Sequence, residues 1–413
     1  MISVNINLIK LILIFIIWPF GSFIYSFLMF HKRESKYIIY FFLIFFGFTF
    51  VLGNEKLDSF HYAEYFRDIS NLSLLDFKKM LSNFLLSENS LDLAQPILSF
   101  LISRFSDNYH LLFGCIASIF GYFYLKSINI LYIHYHNSKS QISLLFLLFF
   151  VLILNPIFNI NGYRFWIATW VFFYGGYVLI TTKDKKYLFV CFLSMFFHFS
   201  FIFPNFILLV YLFLGNQNFY YYILFIVSFF ISDIILQLFP SLISGFGVGI
   251  ESKAGRYANS DQIEMIGNNA NLALEQGKWY LYLPAKLTFY YILISFFFLK
   301  FKYRNLPFPK SINDIFSFSL LFLSFVNMVS FIPSMGRFRI LFLLFALSFM
   351  INLLSAFKIK GNNWLILIGL IPFTLNFITV TRLGLDVINP LMFTLLPLPF
   401  IFDDISIYQW LFK

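Results

Sequence analysis

Residues 141–186 read QISLLFLLFFVLILNPIFNINGYRFWIATWVFFYGGYVLITTKDKK, and this stretch decides the fold class. Two apolar runs are separated by a short Asn-, Pro- and Gly-containing turn and closed by Lys183, Lys185 and Lys186. The hydrocarbon core of a bilayer is ~30 Å thick and takes about 20 helical residues to cross. Each run therefore suits one crossing, with the punctuation falling at the two membrane surfaces.

The same alternation recurs along the whole chain, which is 60% hydrophobic and only 12% charged over 413 residues. Spans are placed at 7–30, 37–53, 108–132, 141–158, 164–181, 187–201, 202–215, 219–239, 284–300, 313–333, 338–357, 364–381 and 390–402. This predicts an all-α polytopic membrane protein of about 11–13 transmembrane helices. One domain covers residues 1–413, with long outer loops at 54–107 and 240–283. The run from Asn7 to Phe30 is too long for a signal-peptide core and lacks a small-residue cleavage site, so it reads as a retained first span. Phe occurs 64 times, a bias that carries no functional weight by itself. Cys115 and Cys191 both fall in apolar segments and read as packing residues, not a disulfide framework.

A net charge of +10 would raise nucleic acid as a partner for a soluble chain. Here the cations sit in short loops, and no basic tract is long enough to track a nucleic acid backbone. Lysine-rich loops at Lys32/Lys36, Lys139, Lys183–Lys186, Lys300–Lys310 and Lys358/Lys360 alternate correctly, so the positive-inside rule makes them cytoplasmic. Thirteen of the 20 lysines fall on that side. Arginine does the reverse. Arg33 and Arg304 are inside, whereas Arg67, Arg104, Arg164, Arg256, Arg337, Arg339 and Arg382 lie at or beyond outer span ends. Topology alone would put both cations inside. Arginine's planar fork binds phosphate bidentately and stays charged, so the outer face reads as a phosphate-binding face. Arg67 and Arg104 serve equally well to neutralise acidic residues of the outer loops.

In the first outer loop, Asp58, His61 or Tyr62, Tyr65 and Asp68 share one face at helical spacing. Leu91–Phe105 is too short to span and suits a re-entrant or interfacial helix. The segment 240–283, rich in Gly, Asn and charge, reads as a loop carrying Arg256-Tyr257. Arg164 opens one span, and His198 comes 12 residues after Lys186 on the returning one. That is ~18 Å up a helix, so both lie in the outer half of an antiparallel pair. His134-Tyr-His136 falls on the inner side and reads as a solvated interface pair, and Asp403-Asp404 is placed at a cytoplasmic C-terminal end.

The chain resembles the EpsG family of Wzy-like polysaccharide polymerases, which assemble exopolysaccharide, capsule or O-antigen. The resemblance rests on four motifs: Asn161-x-x-Arg164-x-x-x-Ala168, His198-x-Ser200, Asp58-x-x-x-Tyr62 and Gly336-Arg337-Phe338. They cover roughly residues 35–357 and are specific as an ordered set, each being weak alone. One departure stands out. The short helix after the first loop has Gln95 before Pro96 where an acid would be looked for, so Asp92 or Glu88 must supply it.

The resemblance implies a GT-C-like membrane glycosyltransferase in the bacterial cytoplasmic (inner) membrane. Its substrate would be an oligosaccharide repeat unit on undecaprenyl pyrophosphate, its surroundings membrane lipid, and its partner a chain-length regulator. Arg164, Arg337, Arg339, Arg256 and Arg382 are the pyrophosphate candidates. His198, Asp58 and His61 are the candidate bases, and the residues do not choose among them. Tyr62, Tyr163, Asn161 and Gln95 are candidates for the sugar. No outer loop carries an Asp-x-Asp pair and no Gly-rich nucleotide loop is present, so neither a metal nor another cofactor is called for. An O-antigen ligase would use the same arginines on the same carrier. A flippase would instead carry pseudosymmetric repeats and charges along a mid-membrane path. A membrane O-acyltransferase needs its histidine on a cytoplasmic acyl-CoA route, the opposite side from His198.

Overall fold

A computed structural model describes residues 6–53, 55, 57–86, 92–138, 141–243, 279–330, 332, 335–359, 362–396 and 404–412. Every regular element among them is helical. In chain order these are α1 (Ile6–Ile17), α2 (Pro19–Leu28), α3 (Arg33–Phe48), α4 (Asp58–Ser70), α5 (Leu74–Leu86), α6 (Ala94–Ser103), α7 (Tyr109–Asn137) and α8 (Ile142–Leu154). A 3-10 turn (Ile157–Gly162) leads into α9 (Tyr163–Thr182), followed by α10 (Lys186–Phe197), a second 3-10 turn (Phe199–Phe201), α11 (Ile202–Leu214) and α12 (Asn218–Ile243). Beyond residue 278 come α13 (Leu283–Lys302), α14 (Lys310–Met328), α15 (Phe338–Ala356), α16 (Asn363–Gly384) and the short α17 (Ile407–Phe412).

Six stretches among the described residues are long and apolar enough to cross a membrane: 109–137, 142–182, 283–302, 310–328, 335–356 and 363–384. The remaining apolar stretches run 10–17 residues, with α12 counted over 218–231 alone, so length gives fewer crossings than the segment count above. The centre of the bundle is α15. Nearly every residue from Phe338 to Leu354 is buried, against α7, α8, α9, α13 and α14. Lipid tails are as apolar as leucine, so burial of apolar area does not drive helices together inside a bilayer. Close approach does. A Cβ at Gly47 of α3 would lie 2.4 Å from the Phe113 carbonyl oxygen and 2.9 Å from the Gly114 Cα of α7, so only glycine permits that crossing. Polar links add to it. The Tyr177 hydroxyl donates to Asn352 Oδ1 at 3.1 Å, and His134 Nε2 lies 3.1 Å from the same hydroxyl. His134 thus joins α7 to the core, correcting its reading as a solvated residue. The abundant Phe fills the spaces between helices, as in the Phe296–Phe316 stack at 4.8 Å.

Three segments depart from the span pattern. The first apolar run is a folded-back pair of short helices, not one span: Ser22 Oγ of α2 donates to the Leu11 carbonyl of α1 at 3.3 Å. Pro19 has no N–H and clashes with the preceding turn, and Trp18 before it is extended at φ −147°, so the helix breaks there. The segment expected to span at 390–402 forms a 3-10 turn at Pro390–Phe393, with residues 397–403 outside those described. Pro390, Pro397 and Pro399 remove donors that a spanning helix requires. Consequently the C-terminal segment stays at the end where α7 begins. Asp404 accepts a hydrogen bond from Tyr109 and lies 3.4 Å from His110 Nε2, so its placement at the opposite, cytoplasmic end is overturned. The short helix expected within 91–105 is present as α6, against α4, α7 and α10. Most of the loop expected at 240–283, with Arg256-Tyr257, lies outside the described residues.

Candidate functional site

The segregation of cations fixes two ends of the bundle. Helix α9 runs from Arg164 to the Lys183–Lys186 turn, and α15 runs from Arg337 to Lys358. At the arginine end, Asn155 sets the entry to α9. Its Nδ2 donates to the Trp166 carbonyl at 3.1 Å, and its own carbonyl accepts from Trp170 Nε1 at 3.1 Å. These bonds tie the chain before Pro156 back onto the first turns of α9, so the 3-10 turn delivers Tyr163 and Arg164 at a fixed angle.

Arg164 is clamped on two sides. Its Nη1 donates to Asp92 Oδ2 at 2.9 Å and its Nε to the Tyr62 hydroxyl at 3.0 Å, with the guanidinium 5.2 Å from the Tyr62 ring centre. Asp92 is only 4% exposed, and its other oxygen accepts the Phe199 backbone N–H at 2.7 Å. One carboxylate thereby joins α9 to the residue that follows His198. Burial pushes the Tyr62 phenol up to about 12, against the opposing pull of Arg164, so at neutral pH it remains a neutral hydroxyl. The Tyr163 ring packs edge-on to Tyr62 at 4.6 Å. Its buried hydroxyl, and the buried Asn161 Oδ1, have no hydrogen-bond partner among the described residues. A buried donor or acceptor left without a partner costs ~1–3 kcal/mol, so this corner holds polar capacity in reserve.

His198 ends α10 in an extended conformation, φ −147° and ψ 116°. Its Nδ1 accepts from the Ser200 backbone N–H at 3.3 Å and lies 2.7 Å from Ser200 Oγ. An Nδ1 that accepts a backbone N–H carries no proton when the ring is neutral, so the neutral tautomer is protonated on Nε2. The His198-x-Ser200 spacing is thus an orienting device. Phe165 is the hub of the site: His198, Phe201 and Phe338 ring centres lie at 5.4, 5.3 and 5.4 Å, and the Arg337 guanidinium is 5.8 Å from its centre. Arg337 is exposed and has no carboxylate partner among the described residues. Asp58, on the same face of α4 as Tyr62, places Oδ2 3.4 Å from where a Cβ on Gly162 would be.

The structure therefore gathers Asp58, Tyr62, Asn161, Tyr163, Arg164, His198 and Arg337, with Gln95 three residues beyond Asp92 in the first turn of α6. It does not gather the rest. His61 is exposed, with Nδ1 3.4 Å from Glu64. Arg339, two residues past Arg337, stands over Phe289 of α13 at 5.6 Å. Arg382 is paired with Asp386 at 2.8 Å and stacked on Tyr408 at 4.2 Å. Arg256 lies outside the described residues. Arg104 is structural: its guanidinium donates to the Ser70 and Leu72 carbonyls at 2.8 and 3.0 Å, closing the end of α4. The sequence offers Asp92 only as a substitute for the missing acid at Gln95 and gives no sign of Phe165. The signal for Asp92 was its place one turn before Pro96.

These features define a polytopic membrane protein with a polar site at one end of its helical bundle, cationic and only partly self-satisfied. A family model for the EpsG family matches residues 37–391, and the chain belongs to that family. Membership points to a membrane protein of polysaccharide biosynthesis. Comparison with curated proteins and with solved structures finds no match.

Proposed function

We propose that this protein polymerises oligosaccharide repeat units carried on undecaprenyl pyrophosphate, by glycosyl transfer at the outer face of the cytoplasmic membrane. The observation that carries the reading is the convergence of four motifs, drawn from α4, α9, the α10–α11 turn and the start of α15, onto Phe165 and Arg164. In the reaction, the acceptor hydroxyl oxygen forms a bond to the anomeric carbon of the growing chain. The bond from that carbon to the pyrophosphate oxygen breaks with its electron pair, and the hydroxyl proton passes to a base.

Negative charge grows on the departing pyrophosphate, and cations already in place stabilise it without reorganisation. Arg337 is available for this at once. Arg164 exchanges one anionic partner for another: pyrophosphate takes the guanidinium, and Asp92 is released next to the His198 turn. Asp92 or Asp58 then accepts the hydroxyl proton, with His198 Nε2–H oriented as a donor. His61 has no part in this. Tyr163 and Asn161 offer the unpaired polar atoms that a sugar's hydroxyls complement.

The test is reconstitution in liposomes with a lipid-linked repeat unit. A ladder of extended products is the expected result, and its absence from Arg164→Ala protein that inserts and folds normally ties extension to the site. In a deletion strain, accumulation of single repeat units agrees with a polymerase. Intact polymer that fails to reach its final acceptor indicates a ligase and overturns the reading.

A further inference from the structure

A cavity of about 340 Å³ lies between α2, α3, α7, α8 and the 3-10 turn before α9. No charged or amide side chain lines it, and half of its 22 lining residues are aromatic. Of its two tyrosines, Tyr124 points its hydroxyl at the Leu152 carbonyl at 3.4 Å. A sugar would find almost nothing to bond with there, so the occupant is hydrocarbon. At the cavity's edge Phe27 and Phe149, both half-buried, bring their rings to 6.2 Å of each other between α2 and α8. Its upper wall is Pro156, Ile157 and Phe158, and the turn they begin ends at Gly162, under Asp58, two residues before Arg164. Six residues of 3-10 helix span ~12 Å at 2.0 Å per residue. A chain seated in the cavity is thus within one short turn of Arg164, a reach that serves a lipid whose anionic head docks there and gives a bystander phospholipid nothing.

We propose that this cavity holds the first isoprene units of the polyprenyl carrier, the hydrocarbon nearest the pyrophosphate. The inference rests on the glycosyl-transfer reading above. Its size, at the lower end of small-molecule cavities, suits a proximal segment, leaving the distal chain in the bilayer. The folded-back α1–α2 pair acquires a purpose, since α2 supplies one wall that a straight first span would not shape in the same way.

The experiment uses the full-length protein in nanodiscs. Diazirine-tagged undecaprenyl monophosphate is photolysed alongside diazirine-tagged phosphatidylglycerol, and labelled peptides are mapped. Labelling from the polyprenyl probe within residues 20–46 and 145–158, competed by untagged undecaprenyl phosphate and not by phosphatidylglycerol, is the expected outcome. Equal labelling by both probes without competition, or polyprenyl labelling elsewhere, overturns the proposal. Leu148→Trp, which fills the cavity, is expected to raise KM for a full-length carrier about tenfold, the scale of a pocket changed in size. It should leave unchanged kcat and the KM of an analogue that carries a methyl group in place of the prenyl chain. An equal effect on both substrates also overturns it. If wild-type protein transfers sugar from no lipid-linked donor, the functional reading fails, and the labelling result still decides the cavity.

Discussion

Two polar clusters, one at each end of the bundle, handle their buried groups differently. At the lysine end, Asp314 is 2% exposed, ion-paired to Lys183 and hydrogen-bonded by Asn216, whose Oδ1 accepts from the Tyr211 hydroxyl at 2.8 Å. Next to it, Lys300 donates to Asn313 at 3.0 Å and Asn218 links Asn313 to Ser317. Each of these groups answers another, even though Lys183 must adopt φ 61°, a left-handed conformation disfavoured for a side-chain-bearing residue. In the cluster around Arg164, the ion pair to Asp92 is closed while Arg337, the Tyr163 hydroxyl and Asn161 Oδ1 are left over. A network that closes on itself specifies a fold, and one that does not keeps polar capacity that a ligand can take up.

The largest effect that separates the ends concerns Arg164. Arg164→Ala should lower chain extension by about 10²–10³-fold, the loss typical of one donor to a developing anion, ~3–4 kcal/mol. Quantified product ladders measure it, and near-normal extension would erase the distinction drawn here. Lys183→Ala should act on stability instead. Removing one partner of a buried pair costs ~3–5 kcal/mol, and the half-exposed lysine puts this case at or below the low end. A drop in melting temperature in detergent, with kcat unchanged in the surviving folded fraction, is expected; a kcat loss with no thermal shift would transfer the site to the lysine end.

Smaller effects sharpen the comparison. Arg337→Ala is expected to raise KM about tenfold, ~1.4 kcal/mol, with unchanged melting behaviour, because its guanidinium is exposed and, among the described residues, rests against the Phe165 ring. The C-terminal anchor should respond to acid. Burial alone would raise the Asp404 carboxyl, but hydrogen bonds from His110 and Tyr109 hold it below the usual range. A depressed carboxyl contributes stability above its unfolded value, about 3.9, and loses it as pH falls through the folded value. Proteolysis of residues 404–412 should therefore accelerate as pH falls below ~4, and Asp404→Asn should flatten that dependence. His61→Ala, remote from Arg164 despite its neighbour Tyr62, should change extension by less than about twofold, as surface changes do.

Much of the site could be read in the chain because its residues recur at helical spacings and span ends. Asp58 and Tyr62 are four apart, so they share a face; Arg164 and Arg337 each open a long apolar run, so both lie at the same surface. The separation of Arg339 from Arg337 follows from the same geometry, since two residues on a helix diverge by about 200°. Asp92 was harder. Its pairing with Arg164 spans 72 positions and depends on α6 lying against α10, a contact with no periodic signature.

Hydropathy and charge placement, which act locally, already make the chain a many-helix membrane protein whose lysines and arginines mark opposite ends, while the four motifs were legible only through the family resemblance. Tertiary structure alone decided which arginines converge, that the first apolar run folds back on itself and that Asp404 returns to the arginine end. Those outcomes depend on which helix faces meet, and close packing between distant helices decides that.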